Sequence, residues 1–390
     1  MTRLPDQAWA GTPAGRALLD ALDAGAGRTR LVGGAVRDAL LGAAGADIDL
    51  ATQLTPQDVM ARLAAAGLKA VPTGLAHGTV TAVGDGLVAE VTTLRRDVAT
   101  NGRHAEVAFT DDWQTDASRR DFTINALYAA LPGGAISDFF GGLEDLAARR
   151  VRFIGDPLQR IAEDHLRILR FFRFSARFAG TVDADGLAAS MARANDLMAL
   201  SRERIAGELR GILSVADPVP VMALMIDRGI WAPVLPEIAA DRLAVLARTV
   251  AAEAAAGLAP GWQRRLAALL PADAAATVAS RLRVSNADRM RIVAAVAADV
   301  APRWPIVWRD GVEAVADRLL IAGDAGGAAA VLAWQRPRLP ASGRDIIARG
   351  VAPGPQVAKR LGDFERAWVA AGFPDDPDTV TVLLDKAAAG

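Results

Sequence analysis

The chain has 390 residues, long enough for two to four compact units, and its 52% hydrophobic and 23% charged residues exclude a disordered chain. It has no cysteine, which excludes disulfides and thiolate metal sites, and its three histidines, His77, His104 and His165, are scattered. A net charge of −1 excludes a uniformly basic nucleic-acid coat, and no apolar run of ~18 residues that would span a membrane is present.

Any metal must therefore be held by carboxylates, which points to a hard ion such as Mg²⁺. The first residues carry no apolar core of a secretory signal, so the expected location is the cytoplasm, with no membrane partner.

Leu31 and Val32 form a short apolar strand running into Gly33-Gly34, and a helix over 35–41 follows, closed by Gly42 as its C-terminal cap. Asp47-Ile48-Asp49-Leu50-Ala51 alternates as a half-buried strand does. Thr55-Pro56 supplies the N-cap and first-turn proline of a helix that ends at Gly67. The β-rich runs 78–83 and 87–94 are joined by Gly84-Asp85-Gly86, a hairpin signature. A helix is expected over 122–130, then a turn at Pro132-Gly133-Gly134 and a strand over 135–139.

The pattern over residues 1–150, with its core from about 28, is an α+β domain with a small mixed sheet. Beyond Asp156 it changes to helices punctuated by prolines, dividing into segments 151–215 and 216–390, with no fixed-period repeat.

Between 149 and 177 stand eight arginines against only Asp156, Glu163 and Asp164. That suits phosphate binding at one site, and it equally suits a solvated arginine-rich helix; charge alone leaves both open.

Four groups of residues carry candidate chemistry. Gly33-Gly34, between a strand and a helix and followed by Arg37, lets backbone N–H groups approach a phosphate, or is an ordinary tight turn. Asp47 and Asp49 project from one face of a strand, where two carboxylates repel unless they share a cation. That is the geometry of a two-metal phosphoryl-transfer site, and it is also that of an exposed acidic strand edge. Arg119-Arg120-Asp121 is expected at the start of a helix with Asn125 a turn later, suited to a charged, hydroxylated ligand or to surface ion pairs. Asp164 and Arg167, at i and i+3 of a helix, stand ~60° apart and present an acceptor beside a fork of donors. Such a pair matches cytosine and adenine, whereas uracil and guanine reverse the pattern. A plain intrahelical salt bridge gives the same spacing.

Taken in order, 33–42 with Asp47 and Asp49, then 119–127, then Glu163-Asp164 with Arg167, Arg170 and Arg173, resemble the bacterial tRNA nucleotidyltransferase and poly(A) polymerase family of the polymerase-β superfamily. The resemblance covers about 30–178, and Ser201-Arg202-Glu203-Arg204-Ile205 resembles a further helical element of it.

The resemblance implies a nucleotidyltransferase head (1–150), a helical neck with the base-reading helix (151–215) and a helical body and tail that grip tRNA (216–390). It implies that Asp47 and Asp49 hold catalytic Mg²⁺, with Glu90 as candidate third carboxylate. Gly33, Gly34, Arg37 and Arg120 would meet the nucleotide, Asp164 and Arg167 would read its base, and Arg170 and Arg173 would line the same site. On an ideal helix, however, Arg173 falls ~180° from Asp164.

The implied enzyme extends the 3′ end of tRNA with CMP and AMP from CTP and ATP, with no protein partner implied. The alternatives are a poly(A) polymerase, an enzyme adding only the terminal A, or a non-catalytic RNA-binding protein on the same scaffold. Bacterial poly(A) polymerases typically carry a Gly-basic-basic-Phe stretch where this chain has Glu90-Val91-Thr92-Thr93-Leu94-Arg95, which favours CCA addition. The stretch 95–106, with Asn101-Gly102-Arg103-His104, resembles the mobile loop between the family's first two motifs.

Overall fold

The structure is a computed structural model describing residues 2–43, 47–101, 104–301 and 303–390. Its strands are Thr29–Val32 (β1), Ile48–Thr52 (β2), Lys69–Gly74 (β3), Thr79–Gly84 (β4), Leu87–Thr93 (β5), Arg95–Asn101 (β6), His104–Phe109 (β7), Leu127–Ala130 (β8) and Ile136–Asp138 (β9). Seven of them form one sheet in the order β3-β4-β5-β2-β1-β8-β9, and β6 and β7 form a separate two-stranded ribbon. The sheet is mixed because β2 pairs parallel with β5 while the other neighbours are antiparallel. The expected loop at 95–106 is thus paired backbone, with Gly102 and Arg103 outside the described residues.

The helices of this N-terminal part are Pro13–Ala21 (α1), Gly34–Leu40 (α2), Pro56–Ala65 (α3), Trp113–Ser118 (α4), Gly142–Ala147 (α5), Pro157–Glu163 (α6), Leu166–Phe178 (α7), Ala184–Ala192 (α8) and Arg202–Leu213 (α9). Their ends follow from local chemistry. Thr55 Oγ1 accepts the Asp58 amide with Pro56 in the first turn of α3, and Gly67 past its end takes φ +75°.

Pleat alternation divides the sheet into two faces. Leu31, Leu50, Ala89, Val91, Leu127 and Ala129 pack with Leu18 of α1, Leu22 at its C-terminal cap, Val36 of α2, and Val59 and Leu63 of α3. The opposite face carries Val32, Ala51 and Tyr128 with Trp113 and Ala117 of α4. Asp49 shares the parity of Ala51, so the acidic face of β2 is the face on which α4 packs.

Residues 122–130 are not a helix. Thr123–Asn125 is a single 3-10 turn and Leu127–Ala130 is β8, hydrogen-bonded to β1 and β9. The reason is burial on both sides: Leu127 and Ala129 enter one core and Tyr128 the other, so the strand reads as a continuous apolar run without alternation.

By Cα packing the chain forms two units, 1–212 with 227–234, and 213–226 with 235–390. The second is a run of helices from Val219 to Ala389 with two apolar centres, one around Val307, Val315 and Leu320 and one around Phe364, Trp368 and Leu384. Its buried charges are mutually paired: Glu253 accepts from Arg264 and from Arg265 (Nε, 2.7 Å), and Asp317 accepts from Arg264 (2.9 Å) and Arg291 (2.7 Å).

Candidate active site

Gly33 turns the chain from β1 into α2 with φ +67° and ψ −124°, a region open to glycine alone. A β-carbon there would come within 3.3 Å of Arg120 Nη1 and 3.4 Å of the Asn125 carbonyl. The small residue therefore lets Arg120 close over the turn. Around this point lies a cleft of about 510 Å³ lined by Gly33, Gly34, Arg37, Arg95, Arg119, Arg120, Asp121, Asn125, Asp164, Arg167, Arg170 and Phe174. Six arginines against two aspartates suit a polyanion such as a triphosphate.

Each cation is held. Arg37 donates to Asp38 (2.8 Å) and to Asn125 Oδ1, and lies over Phe178 (4.5 Å) and Phe174 (5.2 Å). Asn125 Nδ2 donates to Asp121 Oδ1 (3.0 Å), and Arg170 pairs with Asp121 Oδ2 at 2.6 Å. Asp121 stays ionised: burial works against its charge, but Arg170 and Asn125 outweigh it and hold the carboxyl below its ordinary value.

Asp164 departs from the expected helix. It sits between α6 and α7 in extended conformation (φ −151°, ψ 106°), and its Oδ1 accepts the Leu166 amide at 3.1 Å. It lies outside α7, one residue before the N-cap His165, and its side chain takes up the free amide of the first helical residue. Its Oδ2 is held by Arg204 of α9 at 2.7 Å. Arg167 donates through Nη1 to the Arg160 carbonyl (2.9 Å) and Glu163 (2.6 Å), and through Nη2 to the Arg119 carbonyl (2.9 Å). Of the five guanidinium N–H groups, these bonds leave Nε–H and one Nη2–H, a two-donor edge.

Arg119 and Arg120 end α4 and do not begin a helix, because Arg119 is its C-cap residue. Arg173 is not among the cleft-lining residues; it pairs with Glu208 of α9 at 2.6 Å, and because Asp164 lies outside α7 the ideal-helix angle between Asp164 and Arg173 does not apply. Most of the other arginines in 149–177 are also compensated, Arg150 and Arg152 by Asp145, Arg160 by Glu163 and Arg177 by Asp38. Only Arg167 and Arg170 of that segment face the cleft.

Asp47, Asp49 and Glu90 do not line the cleft; Asp49 is tied to it by the charge of cleft-lining Arg120. Asp49 stands opposite Glu90 in the β2–β5 register, and Glu90 opposite Thr81 of β4. Burial first, then the charges of Glu90 and Asp47, pushes the Asp49 carboxyl up to about 6, while Arg120 opposes the rise. Among the described residues no three His, Asp or Glu side chains converge into a metal cage. Two carboxylates that repel each other, with Arg120 offsetting only part of the charge, nonetheless fit a hard divalent cation that takes its remaining ligands from water and phosphate.

Residues 29–152 match the poly A polymerase head domain, and 181–242 match the probable RNA and SrmB-binding site of polymerase A. The mitochondrial CCA tRNA nucleotidyltransferase 1 of Mus musculus is 34% identical over 92% of this chain and 86% of its own. The chain belongs to the CCA tRNA nucleotidyltransferase family. The CCA-adding enzyme of Levilactobacillus brevis is 30% identical over 95% of this chain and 97% of its own. The crystal structure of the Bacillus stearothermophilus CCA-adding enzyme in complex with CTP superposes with a TM-score of 0.76 at 26% identity, covering 96% of this chain and 98% of that one. As in this family generally, the head is a metal-dependent nucleotidyltransferase.

Within this family frame, sequence reasoning missed Asp116, Tyr128, Phe174 and Arg204. Asp116 could have been found, since it precedes Arg119 and Arg120 by three and four residues, the spacing of helical ion pairs. Tyr128, the single tyrosine of the chain, and Arg204 carry no local signal, because their partners lie 12 and 40 residues away.

Proposed function

We propose that the chain adds CMP and AMP, from CTP and ATP, to the 3′ end of tRNA without a nucleic-acid template, building or repairing the CCA end. The observation that carries this reading is the placement of Asp49 beside an arginine-lined cleft that also presents Asp164 and Arg167.

The RNA 3′-hydroxyl attacks the α-phosphate of the bound nucleotide and pyrophosphate leaves. Arg37, Arg120 and Arg170 are assigned to the triphosphate, where fixed charges stabilise the transferred group without reorganisation. Asp47 and Asp49 would hold Mg²⁺, with Glu90 behind Asp49 as candidate third carboxylate. Mg²⁺ bound there would lower the pKa of the attacking hydroxyl and offset charge on the leaving group. No histidine is needed as general base.

Asp164 is assigned to the exocyclic amine of cytosine or adenine, and the Nε–Nη2 edge of Arg167 to their ring nitrogen or carbonyl. Uracil and guanine would bring a carbonyl against the carboxylate. We assign residues 1–150 as head, 151–215 as neck and 216–390 as the body and tail that bind tRNA. The cytoplasm is the proposed location; among the described residues no helix is long and apolar enough to cross a membrane.

The test is incubation with Mg²⁺ and tRNAs ending before CCA, after C and after CC, each nucleotide supplied alone. Two C additions, then one A addition, and nothing from GTP or UTP is the expected pattern. Extension by long A tails on arbitrary RNA would move the chain to the poly(A) reading.

A further inference from the structure

Asp116 of α4 is 1% exposed, yet four groups converge on its carboxylate. Arg119 Nε (2.9 Å) and the Arg95 amide (3.1 Å) donate to Oδ1, and Arg120 Nη2 (3.1 Å) and the Tyr128 hydroxyl (2.7 Å) donate to Oδ2. The Tyr128 oxygen in turn accepts from Arg120 Nε at 3.1 Å. Arg120 is thus gripped at two nitrogens, by a carboxylate and by a phenol, with its guanidinium 5.3 Å over the phenol ring.

The same carboxylate reaches two further parts of the site. Arg119, which it pairs, offers its backbone carbonyl to Arg167 Nη2 at 2.9 Å. Arg95, whose amide it accepts, lines the cleft and opens β6, the first strand of the ribbon. Residues 95, 119, 120 and 167 all face the cleft, while Asp116 and Tyr128 do not.

We propose that Asp116, completed by the Tyr128 hydroxyl, is the positioning residue of the nucleotide site, aiming Arg120 across Gly33 and fixing the backbone that holds Arg167. This rests on the nucleotidyltransferase reading of the cleft. A free arginine loses much rotamer freedom when it binds a phosphate. Arg120 and Arg119 have that cost already met in the folded state. A buried carboxylate is tolerated only when it is fully paired, and this one has cationic partners from the two residues that the cleft requires. The arrangement also keeps its charges fixed. Burial disfavours the Asp116 anion, but the Arg120 and Arg119 guanidiniums and the Tyr128 hydroxyl more than offset this and hold it at about 2.

Tyr128→Phe isolates the claim, since it removes one oxygen and leaves the ring packed edge-on to Trp113 at 5.3 Å. In the full-length enzyme, KM for CTP and for ATP should rise about fivefold or more, with KM for the tRNA primer and the melting temperature nearly unchanged. Asp116→Asn should raise both nucleotide KM values further and increase misincorporation of UTP and GTP, because the Arg119 carbonyl that seats Arg167 is loosened. A drop in melting temperature in both variants, with nucleotide KM and base discrimination as in wild type, would reduce Asp116 and Tyr128 to structural groups and overturn the proposal. If the wild type itself adds neither C nor A, the functional reading is what has failed. Nucleotide affinity by calorimetry on the same three proteins then decides the positioning role: weaker ATP binding in both variants sustains it, and equal binding rejects it.

Discussion

Asp49 and Glu90 stand directly opposite each other in the parallel pairing of β2 with β5, on the sheet face where Arg120 also acts on Asp49. Burial, Glu90 and Asp47 together raise the Asp49 carboxyl to about 6, so at neutral pH the protein carries an ionised group that its surroundings disfavour. The fold holds this charge at a cost on the order of 2 kcal/mol once solvent screening of the partly exposed carboxyl is allowed for, which a cation would relieve.

Asp49→Asn should therefore have opposite effects on activity and stability. Nucleotide addition falls by about a thousandfold or more, since several kcal/mol of transition-state stabilisation are lost. Melting of the metal-free protein at pH 7 moves upward. Near-normal turnover in this variant, or in Asp47→Ala, would remove these residues from the metal site.

For Arg167→Ala the expected loss is in discrimination. The Nε–Nη2 edge is what remains after the bonds to Arg160, Glu163 and Arg119, and a bidentate base contact is worth ~1–3 kcal/mol. Single-nucleotide incorporation with all four nucleotides measures it. A uniform loss with selectivity intact would reassign Arg167 to phosphate binding.

Arg170 and Arg173 share Glu208 and the Phe174 ring, but only Arg170 lines the cleft. Arg170 lines the cleft and pairs with Asp121, so Arg170→Ala should raise nucleotide KM tenfold or so. Arg173 is not a cleft-lining residue and is held by Glu208, so Arg173→Ala should leave nucleotide KM near wild type and lower the melting temperature by a few degrees. Steady-state kinetics and thermal melts on the two variants check both halves. A raised nucleotide KM for Arg173→Ala would return that residue to the site.

Shortening the β6–β7 ribbon should leave C addition largely intact and impair the final A. Its root at Arg95 is tied to Asp116, and misplacement of a reacting group by about 1 Å can cost on the order of a hundredfold in rate. Product length on a sequencing gel, wild type beside the deletion, reads this directly; equal loss of C and A addition would count against a role in switching.

Acid should weaken the wild type through Asp116. Its folded value of about 2 lies below the ordinary 3.8, so the unfolded chain binds the proton first as pH falls. The stabilisation, about 2 kcal/mol, is complete above about pH 5 and is lost as pH drops through 2. In denaturant melts the wild-type advantage over Asp116→Asn should shrink between pH 4 and pH 2; a constant difference across that window would argue that the carboxylate is not so depressed.

Short-range chemistry was enough for the parts of this protein that depend on neighbours in the chain. The glycine turn at Gly33, the capped helix after Thr55 and the hairpin at Gly84-Asp85-Gly86 are all set within a few residues, where φ preferences and caps act; the strand expected from Asp47 begins at Ile48, leaving Asp47 just before it. The ordered motifs of 33–49, 119–127 and 163–173 likewise pointed to the family.

Tertiary structure decided the rest, because it turns on partners remote in sequence. Burial on both faces made 127–130 a strand, Arg204, 40 residues on, holds the Asp164 carboxylate outside α7, and Glu208, 35 residues on, holds Arg173. The grip of Asp116 and Tyr128 on Arg120 arises only when β8 is placed beside α4. A buried charge must find its counter-charge wherever the fold supplies it, and no local spacing encodes that meeting.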